Sequence, residues 1–414
     1  MAKLILTRFL YIFDEVCISF ITSLLKKHDL EECYFWLSEL YLSGYDKQCW
    51  DLIWFVYYDF YYVLNPQFEE FIIKKHESSS NNPMLSLMTI VKNMHKMNSS
   101  SQVFITRQYN ASDKQITQLF RGKKPSWLND ISNKYHGLFR YIDKHMYHFA
   151  VSSLPEIKSD ENENKNININ INININNNCL VENTQKTTID DLFDNALIYF
   201  SRMDKSLTID LINDLKQHIL TSHYTNYVHK TWAKLCLLIF NSDFHKSKKK
   251  MYISCLNDEY NKIMNIHQEP ILLTSSNNKQ IYKTLFYKRI YSITPLCSSF
   301  HLSRNSHCSM IKDNINDSYW YHWEYFAYLC PVWQERMNKF DITIDDENNK
   351  IIFKDDDECE QFYEEYGYEP DEQSRETQEK SILHMESSNW EKWYCHIFGE
   401  KSIHNFPKDY QFTY

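Results

Sequence analysis

The 414-residue chain is predicted to be mainly α-helical: helical hairpins in two lobes, one small β-hairpin near the C-terminus, and a disordered Asn-rich insertion. Three observations carry this. Only 5 glycines and 9 prolines are present, too few for a turn-rich β-sandwich or barrel. Apolar residues make up 43% of the chain and aromatics 16%, ample for a packed core. Apolar positions recur at i, i+3, i+4 and i+7 through most of the sequence. The glycine shortage also removes the phosphate-cradling and nucleophile-elbow loops, and no GxGxxG, GxxxxGK[ST] or GxSxG can be found.

The N-terminus, "MAKLILTRFLYIFDEVCISFITSLLKK", has Asp14 and Glu15 in its middle, which a bilayer centre tolerates poorly. Leu10, Phe13, Cys17, Phe20, Ile21 and Leu24 recur at helical spacing, so an amphipathic first helix of a soluble protein is expected, without membrane insertion. The next stretch reads as a helical hairpin. Cys33, Trp36, Leu37, Leu40 and Tyr41 form one stripe; Gly44 gives a left-handed stop and Asp46 the next N-cap. Trp50, Ile53, Trp54, Tyr57, Tyr61 and Leu64 continue until Asn65-Pro66. No second copy lies about 34 residues away, so a repeat solenoid is not supported. Further helices are expected at 84–97 and 126–150.

"KNINININININNN" alternates strictly, yet asparagine is poor in strands, so it reads as a low-complexity linker of an A/T-rich coding sequence. It divides an N-terminal lobe, 1–155, from a C-terminal lobe, 189–414, with 156–188 as linker. Helices are then expected near 189–201, 206–220, 226–243, 250–266 and 317–338. "FDITIDDENNKIIF" has two β-branched runs about an Asp/Asn turn, a hairpin over 341–353. Asp355 to Asp357 can cap the following helix, which Gly367 ends before Pro370 starts another.

Eleven scattered cysteines, such as Cys17, Cys33, Cys49, Cys236 and Cys330, sit in apolar stretches without a secretory signal. Reduced, buried thiols are expected, and the protein is not expected to be secreted.

"SYWYHWEYFAYLCPVWQER" (318–336) is the most aromatic stretch. Trp320, Trp323, Phe326, Ala327, Cys330, Trp333 and Met337 share one face while Tyr325, Leu329 and Val332 make the other side apolar, which describes a core helix. Pro331 kinks it or separates two helices. His322, with Arg289, Arg304 and Arg336, forms a candidate pocket set for an enzyme whose site has no diagnostic spacing. Cys297, His301, His307 and Cys308 in "CSSFHLSRNSHC" are the candidate zinc ligands, although the adjacent His307-Cys308 is awkward for a tetrahedral site. A polar loop with chance Cys and His is the simpler reading, and no cofactor is expected.

Two basic segments interleave with aromatics in the manner of a phosphate-binding surface. One carries Arg107, Lys114, Arg121, Lys123, Lys124 and Trp127; the other carries Lys246, Lys248, Lys249 and Lys250. The chain as a whole is at −9, so it is no general nucleic-acid coat. Residues 341–380 hold sixteen Asp/Glu against four Lys/Arg. Asp345, Asp346 and Asp355 to Asp357 lack the glycine and spacing of a calcium loop, so a solvated acidic face or one docking a basic partner is expected.

"LFYKRIYSITPLCSSFHLSR", "YWYHWEYFAYLCPVWQERMNKF", "DDDECEQFYEEYGYEPDEQSRETQEKSI" and the hairpin "FWLSELYLSGY…WDLIWFVYYDFYYVLNPQF" resemble an uncharacterised protein family of nucleocytoplasmic large DNA viruses. The resemblance covers about a third of the chain and implies a viral origin. That family has no assigned activity, so no residue role transfers. The expectation is a non-enzymatic scaffold or assembly protein that binds protein partners through its aromatic surface and acidic C-terminal region, in host cytoplasm or virion. The alternative is a nucleic-acid-associated factor in viral replication or transcription using 107–127 and 246–250.

Overall fold

The computed structural model describes residues 5–111, 123–154, 178–203, 207–220, 224–241, 244, 251–266, 290–293, 322–366, 384–388, 390–399 and 410–412. The protein is mainly α, as its sequence predicts. In chain order the helices are α1 Phe13–Leu25, α2 Leu30–Leu42, α3 Asp46–Val56, α4 Phe68–Glu77, α5 Pro83–Lys96 and α6 Gln102–Gln108. They continue as α7 His136–Asp143, α8 Tyr147–Ser152, α9 Asn178–Ser201, α10 Ile209–Lys216, α11 Tyr227–Phe240 and α12 Asn257–Ile266. After α13, residues 322–327, come α14 Pro331–Met337, α15 Asp356–Tyr366 and α16 Trp390–Phe398. The strands are β1 Tyr109–Ala111, β2 Ile290–Ile293, β3 Ile342–Asp345, β4 Lys350–Phe353, β5 His384–Ser388 and β6 Tyr410–Phe412. They pair as antiparallel β1–β6, parallel β2–β5 and antiparallel β3–β4.

These elements form two units. Unit 1 comprises Met1–Phe55, Lys75–Lys96 and Tyr252–Ile403, and unit 2 comprises Val56–Lys74, Met97–Met251 and His404–Tyr414. Each unit draws on sequence from both sides of the Asn/Ile tract, so the lobes do not follow the divide at 156–188. Helix α9 begins inside the stretch read as linker.

In unit 1, α1 is buried on every side, including Asp14 and Glu15, so it is a central helix and not the amphipathic one expected. The segment before it turns back at Leu10, whose φ is +62°. That segment is fastened to α2: Arg8 N–H donates to Ser43 Oγ at 2.7 Å and Phe9 N–H to Glu39 Oε1 at 2.9 Å. The aromatic stretch is core, as its pattern predicts, and Pro331 separates two helices by occupying the first turn of α14. Trp323, Tyr325, Cys330, Trp333 and Met337 are buried. Trp333 Nε1–H donates to Arg8 O at 3.0 Å and Cys330 Sγ lies 3.3 Å from Ser43 O. The predicted hairpin is β3–β4, and Asp355 caps α15 by accepting Glu358 N–H at 3.0 Å. Trp320, Gly367 and Pro370 lie outside the described residues.

In unit 2 the run expected as one continuous α-helix to Leu64 changes geometry. Tyr57–Tyr61 form a π-turn and Tyr62–Leu64 a 3-10 turn. Leu64, assigned to the apolar stripe, is exposed. The helix expected over 126–150 is broken into two 3-10 turns, α7 and α8, with His145 at φ +58° between the helices. Helices α5 and α11 fall where predicted. Cys17, Cys33, Cys49, Cys236, Cys255 and Cys330 are free and buried. No helix among the described residues is long and apolar enough to cross a membrane.

Gly44 ends α2 at φ +87°, and a Cβ there would stand 2.7 Å from Pro331 Cβ. Gly399, at φ +82°, has nothing within 4 Å of that position. Gly44→Ala therefore meets both backbone strain and a collision, whereas Gly399→Ala meets strain alone. Denaturant titration is expected to show a loss of about 2–4 kcal/mol for Gly44→Ala and about 1 kcal/mol for Gly399→Ala. Equal losses would mean that the Gly44–Pro331 approach contributes nothing.

Candidate functional site

Unit 2 contains the densest polar chemistry. The π-turn inserts one extra residue into a helical turn and so re-aims the side chains that follow. On it Asp59, inside the otherwise apolar "WFVYYDFYYV", is buried. Its Oδ2 accepts from Arg107 Nη2 at 2.5 Å, and its Oδ1 accepts from Arg107 Nε at 3.1 Å and from His229 Nε2 at 2.6 Å. His229 Nδ1 lies 2.9 Å from the Tyr224 hydroxyl. Burial alone would raise the Asp59 carboxyl, but Arg107 and His229 outweigh it and hold it below the usual carboxylate value. Burial lowers His229, with Asp59 opposing. The ring is therefore neutral at pH 7, with Nε2–H donating to the carboxylate and Nδ1 accepting from Tyr224.

A second buried group adjoins it, drawn from the π-turn, α4 and α11. Glu69 Oε2 accepts from Lys234 Nζ at 2.6 Å, and its Oε1 accepts from the Tyr58 hydroxyl at 2.7 Å. Lys234 also donates to Gln217 O at 3.3 Å. Lys230, one turn earlier on α11, stands over the Tyr227 ring at 4.7 Å. Burial pushes its ammonium down to about 7. An Asp–His–Tyr chain has the parts of a proton relay, but all three side chains are buried, so the arrangement orders the π-turn, α6 and α11 within the core.

Among the described residues, unit 2 has an open cleft of about 470 Å³. Its walls are Ile142 from α7, Tyr147 from α8, Tyr199 and Phe200 from α9, and Leu238, Ile239 and Phe240 from α11, with Met203 and Leu207 at the rim. Its polar groups are Asp143 and His145. Asp143 Oδ1 accepts from Arg202 Nη2 at 2.9 Å and from the Tyr199 hydroxyl at 3.3 Å. His145 Nδ1 is 2.8 Å from the Tyr147 hydroxyl. The left-handed turn at His145 lets α7 and α8 fold back on each other and present Ile142 and Tyr147 together. Met203 is 62% exposed, Ile209 65% and Ile198 44%. Isolated exposed apolar side chains are ordinary, but Met203 is also part of the cleft lining, so it carries apolar surface from the cleft out to solvent.

The residues singled out from sequence are distributed as follows. Arg107 faces Asp59 and not solvent phosphate. One face of Trp127 is covered by the Arg202 guanidinium at 4.3 Å. Lys123 and Lys124 are exposed. Lys114, Arg121, Lys246, Lys248, Lys249, Lys250, Arg289, Arg304, Cys297, His301, His307 and Cys308 lie outside the described residues. Arg336 is buried over Trp333 and Tyr366, 4.5 and 5.2 Å from their centroids. His322 begins α13. Among the described residues no group of three His, Cys, Asp or Glu side chains is placed to hold a metal ion. Asp345 closes the β3–β4 turn by accepting from Asn348, and Asp346 accepts the Tyr325 hydroxyl at 2.7 Å. Sequence reasoning passed over Asp59, His229, Lys230 and Lys234. Their signal was a charged residue inside an apolar run, which requires a buried partner.

Two outcomes follow for the buried groups. Asp59→Asn leaves the Arg107 charge buried without its carboxylate and is expected to lower unfolding free energy by about 3–5 kcal/mol. Lys230 binds its proton more weakly in the folded chain than in the unfolded one, so raising the pH from 7 towards 8.5 stabilises the fold. Relative to Lys230→Met, the native chain is expected to gain up to about 1.4 kcal/mol per pH unit over that window. Denaturation midpoints at pH 7.0 and 8.5 check it, and parallel slopes would mean that Lys230 remains protonated.

The chain matches no protein-family model, and comparison with curated proteins and with solved structures likewise finds no similar protein.

Proposed function

We propose that this chain is a non-enzymatic interaction protein whose unit 2 cleft receives apolar side chains from a protein partner. The observation that carries the reading is the apolar cleft with exposed Met203 at its rim. Aromatic walls give large contact area with little loss of side-chain freedom, and a methionine at the rim adapts to the shape of what enters. A groove bounded by α7–α8, α9 and α11 suits the apolar face of an amphipathic helix, whose anchors recur at i, i+3 and i+7. Following the resemblance seen in the sequence, the setting we propose is scaffolding or assembly in a large DNA virus, in host cytoplasm or virion.

Recognition of nucleic acid is the weaker reading, because Arg107 is engaged by Asp59 and Trp127 by Arg202. Catalysis at the Asp59–His229–Tyr224 chain is weaker still, because a reacting group has to reach its substrate.

The test is affinity capture of the full chain with and without nuclease, at two salt concentrations, beside a Met203→Glu/Ile209→Glu variant. Both sites are exposed, so the variant is expected to unfold within about 0.5 kcal/mol of the native chain. A protein that survives nuclease and salt, and is lost by the variant, is the expected result. Retention by the variant contradicts use of this cleft. Loss of all partners under nuclease would transfer the role to nucleic acid.

A further inference from the structure

The hairpin of unit 1 has an open edge in strongly acidic surroundings. β3 and β4 pair from Ile342 opposite Phe353 to Asp345 opposite Lys350. Beyond the last pair, Lys354 N–H donates to Asp341 O at 2.9 Å. Hydrogen-bonded and non-bonded pairs alternate along an antiparallel ladder, so Thr343 and Asp345 point their backbone groups inward, while Ile342 and Ile344 point theirs away from β4. Phe353 packs on Phe362 of α15 at 5.2 Å, which anchors the base of the hairpin on the β4 side. Among the described residues β3 has β4 as its sole strand neighbour. Thr343 and Ile344 are exposed, so among the described residues the outer edge presents unpaired backbone donors and acceptors, the template that proteins ordinarily cover or charge.

The side chains around this edge fix what can pair with it. Ile344 is 40% exposed and Ile352, on the opposite face, 49%. β3 and its turn carry Asp341, Asp345, Asp346 and Glu347, and residues 355–366, on the β4 side, add seven more Asp/Glu, against two lysines, Lys350 and Lys354. A second copy would bring the same acidic edge, and a nucleic acid its phosphates, so both are repelled.

We propose that the β3 edge binds, as a third strand, an extended segment of a partner protein in which Lys or Arg alternates with β-branched apolar residues. Backbone pairing to Ile342 and Ile344 supplies the register. The partner's apolar side chains meet Ile342 and Ile344 on one face, while its cations meet Asp341, Glu347 and their neighbours, which also speeds encounter at low salt. This site is separate from the unit 2 cleft and takes a partner of different chemistry.

The probe is a fluorescein-labelled octapeptide of alternating Lys and Val, titrated with the full chain and followed by anisotropy at low and physiological salt. Saturable binding that weakens with salt is expected, with no binding of the Glu-Val counterpart. Ile344→Pro removes an outward N–H while leaving the ladder bonds to β4, and is expected to weaken binding about tenfold. Asp341→Asn/Glu347→Gln is expected to reduce the salt dependence while far-ultraviolet circular dichroism stays unchanged. Binding indifferent to Ile344→Pro, or equal binding of the Glu-Val peptide, overturns the proposal. Concentration-dependent dimerisation that Ile344→Pro abolishes overturns it too, because the edge would then belong to a second copy.

Discussion

A carboxylate inside an apolar helix cannot remain unaccompanied, and unit 2 is arranged around meeting that requirement at Asp59. Desolvating an ion costs several kcal/mol, and only close, well-directed partners offset it. Arg107 supplies two donors from α6 and His229 one from α11. Three segments far apart in sequence are thereby fixed in register. Trp232 extends the same seam: its Nε1–H donates to Thr106 Oγ1 at 2.9 Å. The π-turn allows this, since Asp59 lies within it and a regular helix would aim the residue elsewhere. The lining of the cleft follows from it, because α11 carries Leu238, Ile239 and Phe240 on from His229 and Trp232.

Unit 1 solves a related problem mostly with uncharged groups. Large rings crowd α1, α2 and the α13–α14 pair, and their polar atoms need acceptors once buried. Trp333 finds the Arg8 carbonyl and Trp393 finds Thr22 Oγ1 at 2.8 Å. Asn93 grips the backbone of Ile253 from both sides, Nδ2 to O at 2.8 Å and N–H to Oδ1 at 2.9 Å. Lys92 and Glu259 add an ion pair at 2.7 Å. Such bonds specify one arrangement among the many that interchangeable aromatic surfaces would otherwise permit.

Local signals were the legible ones. Gly44, Pro331, Asp355 and the Asp/Asn turn at 346–349 each act through backbone geometry that a few residues determine, and each stands where the sequence places it. What depends on distant partners was not legible. The apolar stripe of α1 marks a helix, but whether Asp14 and Glu15 face water or protein is decided by what packs beyond them. A basic residue beside aromatics, such as Arg107, reads as a phosphate contact until the fold brings Asp59 to it. The cleft was hidden because its walls come from four helices, none of which carries a motif of its own. Residues 126–150 misled for another reason: their helical period continues through His145, where the backbone turns left-handed.

The seam through unit 2 requires His229 to be a neutral ring held between Asp59 and Tyr224. Its protonation and tautomer are directly measurable by nitrogen-15 NMR of the full chain with labelled histidine, assigned by His229→Gln. The prediction is a pair of nitrogen shifts showing a protonated Nε2 and an acceptor Nδ1 at pH 7, with titration displaced below the ordinary histidine value of 6.5. An imidazolium at pH 7, or a ring that titrates at the ordinary value, would contradict it and would mean that Asp59 is balanced in some other way.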